Sequence, residues 1–323
     1  MNRGDATPRS IVKALIHGQI PERPLFIPLI FTLAARLEDL ALSTFLANPT
    51  KLANALTALH HRLRTDGVVG YFDPTLEAEA LGCRLDWQAA PPAIAARPAA
   101  DLSSRLQLSP PALAELGRIP VALEVVRRLR VTLRDEPAIL VGLTGPIQLG
   151  QYLVGADFVR RLADGDSAAQ FMVEELAGLT LHLAQALCQA GADLIWVGET
   201  APPPAVFELW EMSLSGVWNV IRFHEALPLL SMGQASLPTS PEGAPVLCLP
   251  AELLETAPLP HDPFGLALAT SGAPPMHLKS LTRSGRCVLV TTAGEIGYHG
   301  KGRPTESDIQ GLEQTVSALR SVL

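Results

Sequence analysis

Short runs of apolar residues alternate with longer segments of helical period along this chain. The runs lack the strict apolar and polar alternation of half-exposed strands, and they are typical of parallel strands that are covered on both faces. They fall at residues 24–30, 67–72, 138–143, 193–198, 228–232, 245–249, 264–269 and 287–292. The pattern therefore predicts eight buried strands.

The segments between these runs have the spacing and the end signals of helices. Residues 48–66 carry leucines at helical spacing behind Asn48, a residue suited to cap a helix start, and residues 167–192 end at Gly191, a natural helix stop. Eight strands with intervening helices predict an α/β fold, a (β/α)8 TIM barrel, formed as a single domain over residues 1–323. A doubly wound sheet is the main competitor, but the Gly-rich turn that such sheets place after the first strand is missing here.

Two segments depart from the regular alternation. Residues 82–120 are rich in Ala, Pro and Leu and predict an insertion, formed by a hairpin and a short helix over the mouth of the barrel. Residues 233–245 are too short and too rich in Pro and Gly for a full covering helix. We expect that side of the barrel to be thin or to be covered by a second copy in a homodimer.

Composition narrows the class of protein. Of 323 residues 48% are hydrophobic, and 25 basic residues face 32 acidic ones without a long basic cluster, which makes nucleic-acid binding an unfavoured function. The four cysteines are scattered, as expected for free thiols in a reducing compartment. The first ten residues lack the apolar core of a signal peptide, and no apolar run is long enough to span a bilayer. We expect a soluble cytoplasmic protein.

In a barrel of this class the functional groups come from the carboxyl ends of the strands and the loops that follow. Asp73 directly follows the second predicted strand and precedes Pro74, so its carboxylate should project into a partly desolvated mouth. It could there transfer a proton or bind a cationic or N–H-bearing ligand, or it could cap the turn before Pro74. Glu77 and Glu79 are two residues apart and are expected to be a solvated charge and a structural partner.

Further candidates follow other strands. Arg36, Glu199 and Ser231 come after the first, fourth and fifth strands, and we expect them to contact a substrate. Tyr152 is expected in a loop punctuated by glycines, which would let the backbone approach a ligand closely, although the ring could also plug the core.

The loop after the eighth predicted strand carries three basic or titratable side chains. His299 could act near neutral pH as an acid, a base or an anion donor, or it could be a surface histidine without a role. Lys301 and Arg303 lie in the same loop, where they would suit a carboxylate clamp.

Three stretches resemble a known family. They are GVVGYFDPTLEAEALGC (67–83), LVGLTGPIQLGQYLVG (140–155) and ALCQAGADLIWVGE (186–199), in the order and spacing of the uroporphyrinogen decarboxylase superfamily. The similarity is greatest to its branch of corrinoid and coenzyme M methyltransferases. What the resemblance implies is a (β/α)8 barrel with its site at the carboxyl ends of the strands.

The methyltransferase branch holds zinc on a His-x-Cys pair after strand five and on a Cys after strand eight, and the metal keeps a thiol as its thiolate. In this sequence the corresponding positions are Ser231, Gly233 and Gly294. The resemblance thus implies a member of the family in which the zinc ligands are missing, and zinc is not expected.

The decarboxylase branch instead uses an Arg-rich segment after strand one, an Asp that contacts pyrrole N–H groups, a Tyr after strand three and a His-Gly turn. Asp73 and Tyr152 match the Asp and the Tyr, and His299 matches the turn with a shift of one residue. Of the Arg-rich segment only Arg36 remains, out of register. One arginine could hardly hold the several carboxylates of a porphyrinogen.

Three functions remain open. The first is a zinc-independent, methyltransferase-like enzyme that acts with a corrinoid or related cofactor, with Asp73, Tyr152 and His299 as polar contacts and with a corrinoid protein as a partner. The second is a decarboxylase of a tetrapyrrole or a smaller carboxylate, in which Arg36, Lys301 or Arg303 would bind carboxylate. The third is a non-catalytic binding or scaffold protein that keeps the barrel.

Overall fold

The computed structural model describes residues 6–89, 92–98, 102–106, 109–134, 137–232, 245–252, 261–269, 278, 285–293, 295–296 and 305–322. Eight parallel strands form a nearly closed barrel, in the spatial order β1, β10, β9, β8, β7, β6, β5, β2. They are β1 (Leu25–Phe26), β2 (Gly67–Tyr71), β5 (Ala138–Thr144), β6 (Leu194–Gly198), β7 (Leu227–Ser231), β8 (Val246–Pro250), β9 (Phe264–Leu268) and β10 (Cys287–Thr292). The predicted fold class, a TIM barrel, is confirmed.

Helices follow the strands and cover the barrel. They are α1 (Pro8–Ile16), α2 (Leu33–Leu37), α3 (Leu42–Ala47), α4 (Pro49–Leu63), α5 (Leu76–Ala80), α6 (Leu102–Leu106), α7 (Pro110–Ala114), α8 (Ile119–Leu133), α9 (Pro146–Val154), α10 (Phe158–Ala163), α11 (Ser167–Ala190), α12 (Phe207–Phe223) and α13 (Glu306–Val322). None of the helices within the described ranges has the length and the apolar composition needed to cross a membrane.

Local signals in the sequence set several of these boundaries. The side chain of Asn48 accepts a hydrogen bond from Lys51 N and so caps α4. Asp166 caps α11 in the same way, and Gly191 ends that helix in the left-handed region at φ 113°. The barrel strands β2 and β5 are buried along their whole length, as expected for strands covered on both faces.

The segment between α5 and α8 contacts residues that follow β2 and β5, through Arg118 with Asp73 and Cys83 with Tyr152. It contains an antiparallel hairpin of β3 (Arg84–Asp86) and β4 (Ala93–Ala96), followed by the short helices α6 and α7. Cys83 at its start donates a hydrogen bond to Tyr152 O. Like Cys83, the other three cysteines are buried and free.

Two carboxylates join the strands at the opposite, amino-terminal end of the barrel. The carboxylate of Asp66 accepts a hydrogen bond from Phe26 N at 2.8 Å, and its backbone N–H donates to Phe26 O. These bonds link β1 to β2, which stand at the two ends of the strand order. Asp193 accepts from Ile139 N at 2.8 Å and pairs with Arg9 of α1 at 2.9 Å. Both carboxylates therefore hold neighbouring strands together at the amino-terminal end of the barrel.

Candidate functional site

A cavity of about 310 Å³ opens at the carboxyl ends of β2, β5, β6 and β7. This volume lies at the lower end of the range for small-molecule sites, ~300–1,000 Å³. The described residues that line it are Phe72, Asp73, Pro74, Gly142, Leu143, Thr144, Gln148, Tyr152, Trp196, Gly198, Glu199, Ser231 and Ala293. Four of the residues singled out from the sequence thus meet in one cavity: Asp73, Tyr152, Glu199 and Ser231.

Asp73 is buried and both of its carboxylate oxygens accept hydrogen bonds. Oδ1 accepts from Thr75 N at 2.9 Å and from Thr75 Oγ1 at 2.8 Å, while Oδ2 pairs with Nη1 of Arg118. The carboxylate therefore closes the turn that leads into α5, and it also forms a buried ion pair. It contributes negative charge to the cavity wall while its oxygens are held in place.

Arg118 was not singled out from the sequence, although it is the counter-ion of Asp73. It precedes α8, is 5% exposed, and its Nε donates to Glu79 Oε2 at 2.5 Å. Burial lowers the pKa of Arg118, but Tyr71, Asp73 and Glu79 outweigh that effect and raise it above its ordinary value. The guanidinium therefore stays charged behind the cavity wall, where it pairs with the carboxylates of Asp73 and Glu79.

The expectation that Glu77 or Glu79 is a solvated charge is wrong. Glu79 is the half-buried partner of Arg118, and Glu77 is 4% exposed and accepts hydrogen bonds from Thr144 N at 2.8 Å and from Thr144 Oγ1 at 3.1 Å. Glu77 is buried because α5 lies against the end of β5. Burial raises the pKa of Glu77 to about 7, against the effect of the hydrogen bonds from Thr144.

Glu199 caps a helix from the end of a neighbouring strand. Its Oε1 accepts from Gln148 N and Thr200 N, both at 2.8 Å, and its Oε2 accepts from Ile147 N at 3.2 Å and from the indole Nε1 of Trp210 at 3.1 Å. Burial raises the pKa of Glu199 to about 7, although these N–H groups favour the charged form.

The expectation that Tyr152 lies in a loop is wrong, because Tyr152 lies on a helix whose first turn is capped by Glu199. The stretch 146–154 forms α9, which begins with Pro146 and receives Glu199 at its first turn. Gly145 makes room for the cap, because a Cβ there would lie 2.4 Å from Glu199 Oε2. The helix thereby fixes Gln148 and Tyr152 in the cavity wall.

Tyr152 is half-buried, and its hydroxyl forms a hydrogen bond with Gln148. Burial raises the pKa of Tyr152, and the nearby carboxylates of Glu77 and Asp73 add to the effect. The phenol therefore keeps its proton near neutral pH. It is the one phenolic donor among the described residues that line the cavity.

Two further aromatic side chains in the wall were not singled out from the sequence. Phe72 follows β2 and Trp196 lies on β6, and their ring centroids are 6.5 Å apart at an interplanar angle of 68°. The ring of Phe72 occupies the space above Gly142, where a Cβ would come within 2.6 Å of it. The position of Phe72 directly after a strand could have marked it, whereas Trp196 lies inside β6 and has no such signal.

A third carboxylate lies near the cavity without lining it. Glu295 Oε1 accepts from Thr32 Oγ1 at 2.6 Å and from Phe31 N at 3.2 Å. Burial raises the pKa of Glu295, and the charge of Asp73 raises it further. Glu295 therefore ties the segment after β10 to the segment after β1, on the Asp73 side of the barrel mouth.

The other residues singled out from the sequence have different outcomes. Arg36 lies on α2 and is not among the described residues that line the cavity. His299, Lys301 and Arg303 lie outside the described residues, as do Gly233 and Gly294. Within the ranges that the structure describes, no three His, Cys, Asp or Glu side chains are grouped so that they could hold a metal ion.

The protein is thus a (β/α)8 barrel that carries a polar cavity at the carboxyl ends of its strands. The chain belongs to the uroporphyrinogen decarboxylase (URO-D) family, whose model matches residues 7–205. A solved structure of a methyltransferase from Methanosarcina mazei is similar at a TM-score of 0.74 and 15% identity, over 98% of this chain and 99% of that one. At this identity the similarity establishes the fold. No curated protein sequence matches the chain.

Proposed function

We propose that the protein is a zinc-independent, methyltransferase-like enzyme that binds a small substrate in the cavity above β5 and β6. The observation that carries the proposal is the composition of the cavity wall. It combines aromatic rings and carboxylates, and no Lys, Arg or His is present among the described residues that line it. Such a wall suits a small neutral or cationic compound, whereas a substrate with several carboxylates would be repelled.

The same observation weighs against decarboxylation of a tetrapyrrole. Holding carboxylate arms requires cations that are free to pair with them. The guanidinium of Arg118 reaches Asp73 in the cavity wall, but it already pairs with both Asp73 and Glu79. Arg36 does not line the cavity. The decarboxylase alternative therefore depends on Lys301 and Arg303.

The residues of the wall have separate tasks in the proposed reaction. Phe72 and Trp196 keep water away from the reacting centre and shape the space around the substrate. The hydroxyl of Tyr152, positioned by Gln148, would donate a hydrogen bond to a substrate heteroatom or supply a proton to it. Asp73 holds negative charge at a fixed place, since Thr75 and Arg118 fix both of its oxygens.

A corrinoid would supply a cobalt centre that gives or accepts a methyl group. A corrin macrocycle is too large for a cavity of about 310 Å³. We therefore propose that a corrinoid, if it is the methyl carrier, stays outside the cavity on a separate corrinoid protein.

Absorbance spectroscopy of cobalamins tests the proposal. Purified protein is mixed with methylated cobalamin and a panel of small acceptors, or with reduced cobalamin and small methyl donors. We expect protein-dependent conversion of the cobalamin, reduced roughly 100-fold or more in Tyr152→Phe, which removes only the hydroxyl. Ser215→Ala removes an exposed hydroxyl on α12 and should leave the rate unchanged.

Three outcomes would contradict the proposal. Stoichiometric zinc in the purified protein would show that the metal ligands have been misplaced. Loss of carboxyl groups from uroporphyrinogen, seen when products are separated by carboxyl number, would establish the decarboxylase instead. Binding of cobalamins or porphyrins without turnover of any compound would favour the non-catalytic alternative.

A further inference from the structure

Three aromatic side chains line the cavity at the carboxyl ends of the strands: Phe72, Tyr152 and Trp196. The face of an aromatic ring carries partial negative charge and attracts a cation, and cages of such rings bind quaternary ammonium groups. Phe72 and Trp196 pack edge to face, and Gly142 leaves the space that the Phe72 ring fills. These two rings are thus held in position before any ligand arrives.

The charge around the cavity has the sign that a cation requires. Asp73 and Glu199 line the wall, and no Lys, Arg or His is among the described residues that line it. The cation that faces Asp73 from behind, Arg118, is shared with Glu79. In a partly desolvated cavity this surplus of carboxylates attracts a positive charge more strongly than it would in water.

The hydrogen bonds of these carboxylates limit the kind of cation. Each oxygen of Glu199 already accepts two N–H groups from the protein. Oδ1 of Asp73 accepts two bonds from Thr75, and its Oδ2 is held by Arg118. The carboxylates therefore act through their charge and have few lone pairs left for a ligand. A primary ammonium needs three acceptors, whereas a fully methylated cation needs none.

We propose that the cavity binds an onium compound, a small quaternary ammonium or sulfonium that carries methyl groups. Such a cation presents apolar methyl surface to Phe72, Tyr152 and Trp196, and its charge is balanced by Asp73 and Glu199 without a hydrogen bond. The proposal rests on the proposed function only in taking this cavity as the substrate site. It concerns the ligand and its binding, not the transfer step.

Isothermal titration calorimetry with matched probes tests the proposal on the wild-type protein. Choline carries a quaternary nitrogen, and 3,3-dimethylbutan-1-ol is its neutral carbon isostere. Pivalate places an anion beside the same tert-butyl shape, and ethanolamine replaces the methyl groups with N–H donors. We expect choline to bind at least 10-fold more tightly than each of the other three.

Two variants separate the aromatic contribution from a general change of the fold. Phe72→Leu keeps an apolar side chain without the ring, and it should weaken choline roughly 2- to 30-fold while the isostere changes little. Phe223→Leu makes the same substitution at a ring that is 81% exposed on α12, and it should change neither. Thermal unfolding of both variants checks that the barrel is intact.

The outcomes keep this proposal distinct from the proposed function. If the isostere or pivalate binds as tightly as choline, the charge argument is overturned, whether or not methyl transfer is observed. If ethanolamine matches choline, the preference for a fully methylated cation is overturned. Choline binding without any conversion of cobalamin would support the proposal made here and contradict the methyltransferase.

Discussion

Removing Arg118 should destabilise the protein far more than removing an ordinary surface arginine. Arg118→Met leaves the carboxylate of Asp73, whose side chain is 3% exposed, without its counter-ion. An uncompensated buried charge costs ~3–5 kcal/mol. Glu79, 23% exposed, can recover hydration and adds little, and the loss of the guanidinium over Trp87 at 4.9 Å adds at most ~1 kcal/mol.

The expected loss is therefore about 4 kcal/mol in the free energy of unfolding, measured by urea titration and tryptophan fluorescence. The melting temperature should fall by roughly 6 °C. Arg128→Met is the matched control on α8. Its ion pair with Glu124 at 2.7 Å is largely exposed, so the loss should stay below ~1 kcal/mol.

A second substitution identifies the cause. Asp73→Asn removes the buried charge while its amide oxygen can still accept from Thr75 N and Oγ1. The double variant Arg118→Met with Asp73→Asn should therefore regain at least ~2 kcal/mol over the single Arg118→Met variant. If the two losses simply add, Arg118 stabilises the fold by packing and the electrostatic explanation is refuted.

Two further expectations concern other parts of the site. Gly150→Ala on α9 would bring a Cβ to 2.2 Å from the ring of Phe158 and should cost ~1–3 kcal/mol, whereas Gly178→Ala on α11 meets no atom within 4 Å and should stabilise by up to ~1 kcal/mol. Equal effects in urea titrations would contradict the packing described. Glu77 has its pKa raised from 4.5 to about 7, so the stability that its neutral form contributes is present below pH 4.5 and lost as the pH rises through 7. The amide of Glu77→Gln can still bond both atoms of Thr144. From pH 5 to pH 8 the free energy of unfolding of this variant should therefore rise, relative to that of the wild type, by on the order of 3 kcal/mol. A difference that is independent of pH would show that burial does not hold this carboxyl neutral.

The fold could be predicted from the sequence because parallel strands buried on both faces appear as uninterrupted apolar runs. The runs place all eight barrel strands, and the largest error falls on β1. There the run 24–30 predicts a longer strand than Leu25–Phe26. Pro24 directly precedes these two residues and Pro28 follows Ile27, and neither proline has an N–H to give to the ladder. The regular pairing of β1 is therefore short, although Ile27 N still donates to Val290 O at 2.9 Å.

The site could be predicted only in part, because strand ends converge by topology while their partners come from elsewhere. The strand-end rule brings Asp73, Glu199 and Ser231 to the same cavity. It gives no sign that Arg118, 45 residues beyond Asp73, reaches back from the segment that follows the hairpin. Spacing along α5 likewise does not reveal that Glu77 faces β5, since burial of a helix side depends on what packs against it.

The carboxylates at the amino-terminal end of the barrel have a consequence for how the molecule can change. Asp66 and Asp193 fasten neighbouring strands at the end opposite to the cavity, and their partners Arg23, Arg9 and Arg130 contribute nothing to its wall. A substitution among the residues at the carboxyl ends of the strands therefore leaves these ion pairs and hydrogen bonds intact. Replacing residues such as Ser231 or Phe72 can alter which compound is admitted while the scaffold persists, so specificity and architecture are free to evolve separately in this barrel.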